Sequence, residues 1–189
     1  MTFRLVMVAP AFSRSLREAR FDDGAPLEAA GLAAARAAAP GLPAADRYLA
    51  SPTARCRETA AALGVDAHDV AELGALDVGR WRGRTLAEVS AAESESVGAW
   101  LADPAAAPHG GEPVRELCVR AAAWLAQATA TGGRTLAVVE PEIVRAVVLR
   151  ALDAPESAFW RIDVPPLTAT ELSGRSGRWN LRMGRPLGP

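Results

Sequence analysis

The chain has 189 residues, of which half are hydrophobic, and its formal net charge at pH 7 is −1. This length suits one ordinary domain with a sizeable core, and the near-zero charge argues against nucleic acid or a membrane surface as a partner. No apolar run approaches the roughly 20 residues that span a bilayer, and the N-terminus lacks the zones of a signal peptide. These features predict a cytoplasmic protein.

All 21 basic residues are arginines, so no lysine is available as a base or a Schiff-base nucleophile. Together with the excess of alanine, this bias indicates a GC-rich genome. Cys56 and Cys118 are too few and too far apart for a metal-binding pattern. With only His68 and His109 beside them, we expect no zinc or other metal site, and no cofactor.

The first half of the chain alternates strand and helix patterns. We predict a buried strand over 3–8, followed by Ala9-Pro10-Ala11 and an arginine-rich loop or short helix over 12–20. The pattern then predicts a helix over 26–39, a strand over 47–50, a helix over 53–63 with Ser51 as its N-cap, and a loop with one possible short strand over 65–76.

The second half continues the alternation. Thr85 and Glu88 form a predicted capping box at a helix start, and we expect helices over 93–101, 113–128 and 143–152, a buried strand over 135–139, and edge strands over 158–164, 169–172 and 178–183. The sequence therefore predicts a three-layer αβα sandwich with a mostly parallel central sheet, formed by residues 1–183 as a single domain, and a disordered tail over 184–189.

The turn Glu140-Pro141-Glu142 lies between a buried strand and a helix. Ligands of open α/β sheets bind at the carboxyl ends of the strands, beside helix N-termini. Glu140 ends the strand, so we expect its side chain to point into a pocket there and to act in catalysis or ligand binding. Glu142 is a second candidate, and capping of the following helix is its alternative role.

Five segments, taken in order, resemble the histidine phosphatase superfamily, with its phosphoglycerate-mutase-like fold, over nearly the whole chain. They are Ser51-Pro-Thr-Ala-Arg55-Cys-Arg-Glu-Thr59-Ala60, Leu76-Asp-Val-Gly-Arg-Trp81-Arg-Gly83, Gly111-Glu112-Pro-Val, Ile143-Val-Arg145, and 159–168 with 177–181. The resemblance implies a nucleophilic histidine in an Arg-His-Gly turn, a second histidine after the last central strand, two phosphate-binding arginines and an acidic proton donor.

This sequence departs from that pattern at four of the five catalytic positions. The Arg-His-Gly turn falls on Ala9-Pro10-Ala11, the proton donor falls near Ala75, and the second histidine falls on Glu140. Only the second arginine is present, as Arg55. The chain is thus expected to be a degenerate member without phosphohistidine chemistry, because proline carries no nucleophile and a carboxylate at 140 would repel a phosphoryl group.

Other candidates follow from position. Arg14 and Arg17 follow the first strand and are either substrate-binding or plain surface residues. His109, before two glycines at the expected pocket rim, is either a proton shuttle or a loop residue without function. Arg145 is expected to be structural.

Three functions stay open. In the first, the former phosphate pocket performs acid–base catalysis on a small anionic molecule, with Glu140 as the acid or base and Arg55 orienting the substrate. In the second, the inert residues Ala9, Pro10 and Ala75 indicate a non-catalytic pseudophosphatase that binds a ligand or a protein. The third is residual phosphatase activity. The sequence is compatible with a homodimer.

Overall fold

A six-stranded sheet forms the centre of the computed structural model, which describes residues 3–175 and 177–188. The strands lie in the order β3–β2–β4–β1–β5–β6. Their bounds are β1 (Phe3–Val8), β2 (Arg47–Ala50), β3 (His68–Asp69), β4 (Arg134–Val138), β5 (Thr168–Arg175) and β6 (Arg178–Pro186). The first four strands in this order are parallel to one another, while β5 and β6 pair antiparallel at one edge.

Seven α-helices connect and cover the strands. They are α1 (Arg14–Arg17), α2 (Ala29–Ala38), α3 (Ala54–Ala62), α4 (Leu86–Ala92), α5 (Ser94–Ala102), α6 (Val114–Thr131) and α7 (Pro141–Ala151). None of the helices described is both long and apolar enough to cross a membrane.

The helices divide between the two faces of the sheet because alternate side chains of a strand point to opposite faces. Phe3, Leu5 and Met7 of β1 share one core with buried residues of α6 and α7. Val8, with Leu136 and Val138 of β4, contributes to the other core, which buried residues of α2 and α3 complete. The predicted αβα sandwich with a mostly parallel sheet is confirmed.

The start of α3 differs from its prediction. Thr53, not Ser51, is the N-cap, and its hydroxyl accepts a hydrogen bond from the amide of Cys56. Ser51 directly follows β2, and its amide donates to the carbonyl of Val138. It lies too early to be the N-cap, because the N-cap immediately precedes the first helical residue, which is Ala54.

The strand predicted over 158–164 is wrong. A 3-10 helix, Glu156–Arg161, occupies most of this range and buries Phe159 in the core shared with α7. The antiparallel place beside β1 belongs to β5, so an apolar run here has no strand to pair with and packs through side chains alone.

The predicted disordered tail is also wrong over 184–188. Strand β6 extends to Pro186, which pairs with Thr168, and the side chain of Leu187 is 3% exposed within the second core. The amide of Leu187 donates to the carbonyl of Leu167. Pro189 lies outside the described residues.

Candidate functional site

A large cavity lies at the carboxyl ends of β1, β2 and β4. The segments that follow these strands are held side by side: Val139 donates to the carbonyl of Val8, and Ser51 donates to that of Val138. The cavity has a volume of about 950 Å³. It lies where an open α/β sheet is expected to bind its ligand.

The cavity wall contributed by the β1 turn is apolar. Ala9, Pro10 and Ala11 all line it, and Ala75 faces it from another segment. The amide of Ala11 donates to the hydroxyl of Thr59 on α3 at 3.0 Å, which holds the turn in place. The side chains of this turn therefore offer neither a nucleophile nor a hydrogen-bonding group to a ligand.

Arg55 and Glu140 form a buried ion pair at the edge of the cavity. The Nε of Arg55 donates to Oε1 of Glu140 at 2.9 Å, and its Nη2 lies 2.5 Å from Oε2 in a contact poorly aligned for a hydrogen bond. The hydroxyl of Thr53 also donates to Oε1, at 2.7 Å. The side chain of Arg55 is 13% exposed and that of Glu140 is 0% exposed.

Glu140 does not point into the cavity, so this expectation was wrong. Glu140 does not line the cavity, whereas Arg55 does. The carboxylate turns instead toward the cation and the hydroxyl that neutralise and solvate it, because a buried charge needs such partners.

The ion pair changes the titration of its neighbours. Burial acts to lower the pKa of Arg55, but the charge of Glu140 and its hydrogen bond outweigh burial and raise that pKa above its ordinary value. Burial raises the pKa of the Cys56 thiol, and the Glu140 carboxylate adds to the rise. Arg55 therefore stays charged, and Cys56 is a protonated, inert thiol.

Glu142 is the acid of the predicted turn that does line the cavity. Its Oε2 is buried and has no hydrogen-bond partner among the described residues. Burial raises the pKa of Glu142, and the neighbouring charge of Glu140 raises it further, against the lowering effect of Arg55 and Arg145. Burial and the nearby charge thus both favour the neutral acid of Glu142 over its carboxylate.

His109 lies away from the cavity, which contradicts its predicted place at the rim. Its ring is 1% exposed and packs edge-on against Trp81, with ring centroids 5.1 Å apart, and against Trp100. Its Nδ1 accepts the amide hydrogen of Gly111 at 3.0 Å, and burial lowers its pKa. A neutral imidazole inside an aromatic cluster does not fit the predicted proton shuttle.

Arg14 and Arg17 also lie outside the cavity lining. Arg14 pairs with Glu18 one helical turn away, and Arg17 pairs with Glu28. Both arginine side chains are more than half exposed. The surface alternative describes them better than substrate binding, because both are exposed and paired with glutamates.

Four other arginines line the cavity, and sequence reasoning missed them as site residues. They are Arg20, Arg57, Arg82 and Arg145. Arg57 lies two residues after Arg55 on α3, a spacing that does not place two side chains on one helix face, so the sequence did not indicate it. Nothing in the sequence indicated Arg20 and Arg82, because their segments are brought together by an isolated bridge between Arg20 and Thr85, residues far apart in the chain.

Arg145 was expected to be structural. It makes structural contacts and also lines the cavity. Its Nε donates to the carbonyl of Ile162 at 2.9 Å. Its guanidinium carbon lies 5.5 Å from the centre of the Trp160 ring and 5.8 Å from that of Phe159. The side chain is therefore fixed by one carbonyl and two aromatic rings while it faces the cavity.

No group of three or more histidine, cysteine, aspartate or glutamate side chains is arranged to hold a metal ion within residues 3–175 and 177–188. The described acids of the cavity are instead spread over separate segments.

Comparison with known proteins matches residues 14–184 to the family model of the histidine phosphatase superfamily, branch 1. No curated protein sequence matches this chain significantly.

The solved structures that are similar share the fold at low sequence identity. A mycobacterial glucosyl-3-phosphoglycerate phosphatase in complex with VO3 is 24% identical, with a TM-score of 0.84, and the match covers 97% of this chain and 99% of that chain. The α-ribazole phosphatase of Shigella flexneri is 19% identical, with a TM-score of 0.85 and coverage of 98% and 97%. A phosphoserine phosphatase mutant of Entamoeba histolytica in complex with phosphoserine is 15% identical, with a TM-score of 0.85 and coverage of 95% of both chains.

Proposed function

This chain belongs to the histidine phosphatase superfamily, and from that premise we propose that it is a member without phosphohistidine chemistry whose cavity binds a small molecule. The observation that carries the proposal is the buried pair between Arg55 and Glu140, beside a wall formed by Pro10. The phosphatases of similar fold support the architecture assumed in this proposal, and no substrate is inferred from them.

The chain offers no imidazole to the cavity. His68 is exposed on β3 at the far edge of the sheet, and His109 is buried in the aromatic cluster. A phosphohistidine requires an imidazole nitrogen in line with the phosphorus atom, and Pro10 has no side-chain nucleophile to replace it. Phosphoryl transfer by the family's route therefore has no acceptor atom.

Glu140 supplies, within the protein, the negative charge that a phosphate would bring. It takes both Nε and Nη2 of Arg55, so a phosphoryl group would have to displace a carboxylate that is already in place. At ~4 Å and an effective dielectric near 20, each unit of phosphate charge would also meet about 4 kcal/mol of repulsion from Glu140. This repulsion offsets the attraction of Arg55, so the pair as a whole gives a dianion no net attraction.

The test combines turnover with anion binding. We expect no hydrolysis of p-nitrophenyl phosphate and no calorimetric binding of orthovanadate by the native chain. Glu140→Gln removes the charge but keeps an amide oxygen for Arg55 and Thr53, so it should gain orthovanadate affinity by about tenfold or more. Glu142→Gln is the matched control, because it removes a neighbouring acid that does not contact Arg55, and it should gain much less.

The opposite result is well defined. Hydrolysis by the native chain that disappears in Arg55→Ala would establish residual phosphatase activity and overturn the proposal.

A second candidate function is acid–base catalysis, and Glu142 is the observation that favours it. This residue lines the cavity, and burial raises its pKa, which is the direction expected of a carboxyl group that acts as a general acid. Glu140, by contrast, is occupied by Arg55 and Thr53. We expect a metabolite screen by mass spectrometry to find a substrate. Glu142→Gln should abolish its turnover, and His109→Ala should preserve it. If the screen finds no substrate, acid–base catalysis is rejected and only the proposal of ligand binding stays.

A further inference from the structure

Resting on the proposed function, we infer that the cavity binds a small organic cation, a protonated amine on an apolar body, and that Glu142 is the residue that anchors it.

The first reason is an unpaired carboxylate oxygen of Glu142. Its Oε2 is buried without a hydrogen bond among the described residues, although the side chain lines the cavity. The two nearest cations are already engaged: Arg55 by Glu140, and Arg145 by the carbonyl of Ile162 and two aromatic rings. A buried oxygen without a hydrogen-bond donor is energetically costly. A ligand that supplies a donor removes this cost and therefore binds more tightly.

The second reason is the charge around the cavity. Five arginines line it, together with the four carboxylates of Asp22, Asp77, Glu142 and Asp163. Three of these arginines pair with carboxylates outside the lining: Arg20 with Glu18, Arg55 with Glu140, and Arg57 with Asp69. Glu18 is also paired with Arg14, so with Arg14 included six arginines meet these seven carboxylates, and the balance is −1 when Glu142 is ionised and 0 when it is protonated.

This balance does not favour the small anionic ligand that the sequence predicted. That expectation rested on Arg55 as the anion-binding residue, and Arg55 is paired with Glu140. When Glu142 is ionised, the cavity carries an excess of negative charge, which attracts cations.

The third reason is the apolar part of the wall, which suits the body of the ligand. Pro10, Phe21, Leu76, Val78 and Val164 line the cavity and carry no hydrogen-bonding side chain. A volume of about 950 Å³ accommodates a small molecule. An ammonium group would meet Glu142 while its carbon chain lies against these residues.

Binding should release a proton. Burial shifts Glu142 toward its neutral acid, whereas an ammonium group beside it favours the carboxylate. The O–H bond of Glu142 then breaks, its proton passes to solvent, and the carboxylate accepts a hydrogen bond from the ligand's N–H.

The experiment compares three probes of equal length and different charge: hexylammonium, hexanol and hexanoate. We expect hexylammonium to bind the native chain at least about tenfold more tightly than the other two in NMR titrations, since a charge-assisted hydrogen bond is the stronger kind. Glu142→Gln should abolish this preference. Asp163→Asn, which removes another acid of the lining, is the matched control and should change the affinity by less than about threefold.

Several results would overturn the inference: equal binding of hexanol or hexanoate, an unchanged preference in Glu142→Gln, or an equal loss in Asp163→Asn. If Glu142→Gln does not fold, calorimetry of the native chain in buffers of different ionisation enthalpy decides, and a lack of proton release on hexylammonium binding contradicts the inference. Failure here, with orthovanadate still excluded, would leave the proposed loss of phosphate binding intact.

Discussion

Arg55 and Glu140 show, at the scale of single residues, why a buried charge requires a partner of opposite charge. Their side chains are separated by 85 residues in sequence but share two contacts within 3 Å. Each charge is costly to bury alone, and the pair compensates that cost only while both members are present. Because Arg55 is paired with Glu140, it is not available to bind a phosphate ligand in the cavity.

This coupling predicts a non-additive effect on stability. Glu140→Leu should destabilise the fold by about 3–5 kcal/mol, because it leaves Arg55 charged and unpaired in a buried place. Arg55→Met alone should cost a similar amount, while the double variant should recover most of the loss. Urea unfolding of the four proteins measures the coupling free energy, and additive losses would contradict the account.

Glu142 makes a different residue-scale point, because its position in sequence is nearly equivalent to that of Glu140. Glu140 is the N-cap of α7 and Glu142 lies in its first turn, yet one faces the core and the other faces the cavity. The difference arises from their neighbours, since Glu140 meets Arg55 and Thr53 and Oε2 of Glu142 meets no donor in the part of the chain that the structure describes.

At the scale of elements, a cluster around Glu93 joins the turn Gly79–Trp81 to the start of α5. The carboxylate of Glu93 accepts hydrogen bonds from Arg80, Arg84 and the indole nitrogen of Trp81. The same turn is held against the loop at His109, whose carbonyl accepts from the amide of Arg80. These contacts position one side of the cavity, to which Val78 and Arg82 belong.

The cluster predicts a loss of stability in acid. The hydrogen bond from Arg80 and then that from Trp81 lower the pKa of Glu93 from 4.5 to about 2. Because the folded-state pKa is depressed, the contribution of Glu93 is fully present above pH 4.5 and is lost as the pH falls through about 2. Thermal unfolding from pH 6 to pH 2 should show a smaller decline of Tm in Glu93→Gln than in the native chain.

The control is Glu95→Gln, on the same helix and without these partners. A decline of Tm in Glu93→Gln as steep as that of the native chain would rule out this role for Glu93.

At the scale of the whole molecule, the last strand ties the end of the chain to its beginning. β6 pairs with β5, which pairs with β1, and Leu187 beyond β6 packs in the core covered by α2 and α3. The backbone of Gly41 approaches closely there, since a Cβ on it would lie 1.7 Å from the carbonyl oxygen of Leu187. The chain end is therefore part of the fold.

Removal of residues 187–189 should accordingly destabilise the protein. Loss of the buried Leu187 side chain is expected to cost about 2–5 kcal/mol, as for other buried leucines, and to lower the urea midpoint. Leu101→Ala is the control, at a leucine that is 51% exposed, and should lower the midpoint much less. An equal or smaller loss in the truncated chain would contradict the packing of Leu187.

Much of the fold was predictable because local patterns decide local structure. The apolar runs of β1 and β4, the capping box of Thr85 and Glu88, and the proline at the start of α7 are each expressed within a few residues. The run over 158–164 failed because an apolar segment becomes a strand only where a neighbouring strand is free to pair with it.

By itself the sequence determined that position 10 carries no nucleophile and that the chain has only two histidines, because these are properties of residue type. Tertiary structure alone decided that Glu140 is sequestered, that Glu142 meets the cavity and that His109 lies among tryptophans. The reason is physical: the direction and protonation of a side chain depend on partners distant in sequence, and Glu140 finds its own 85 residues away in Arg55.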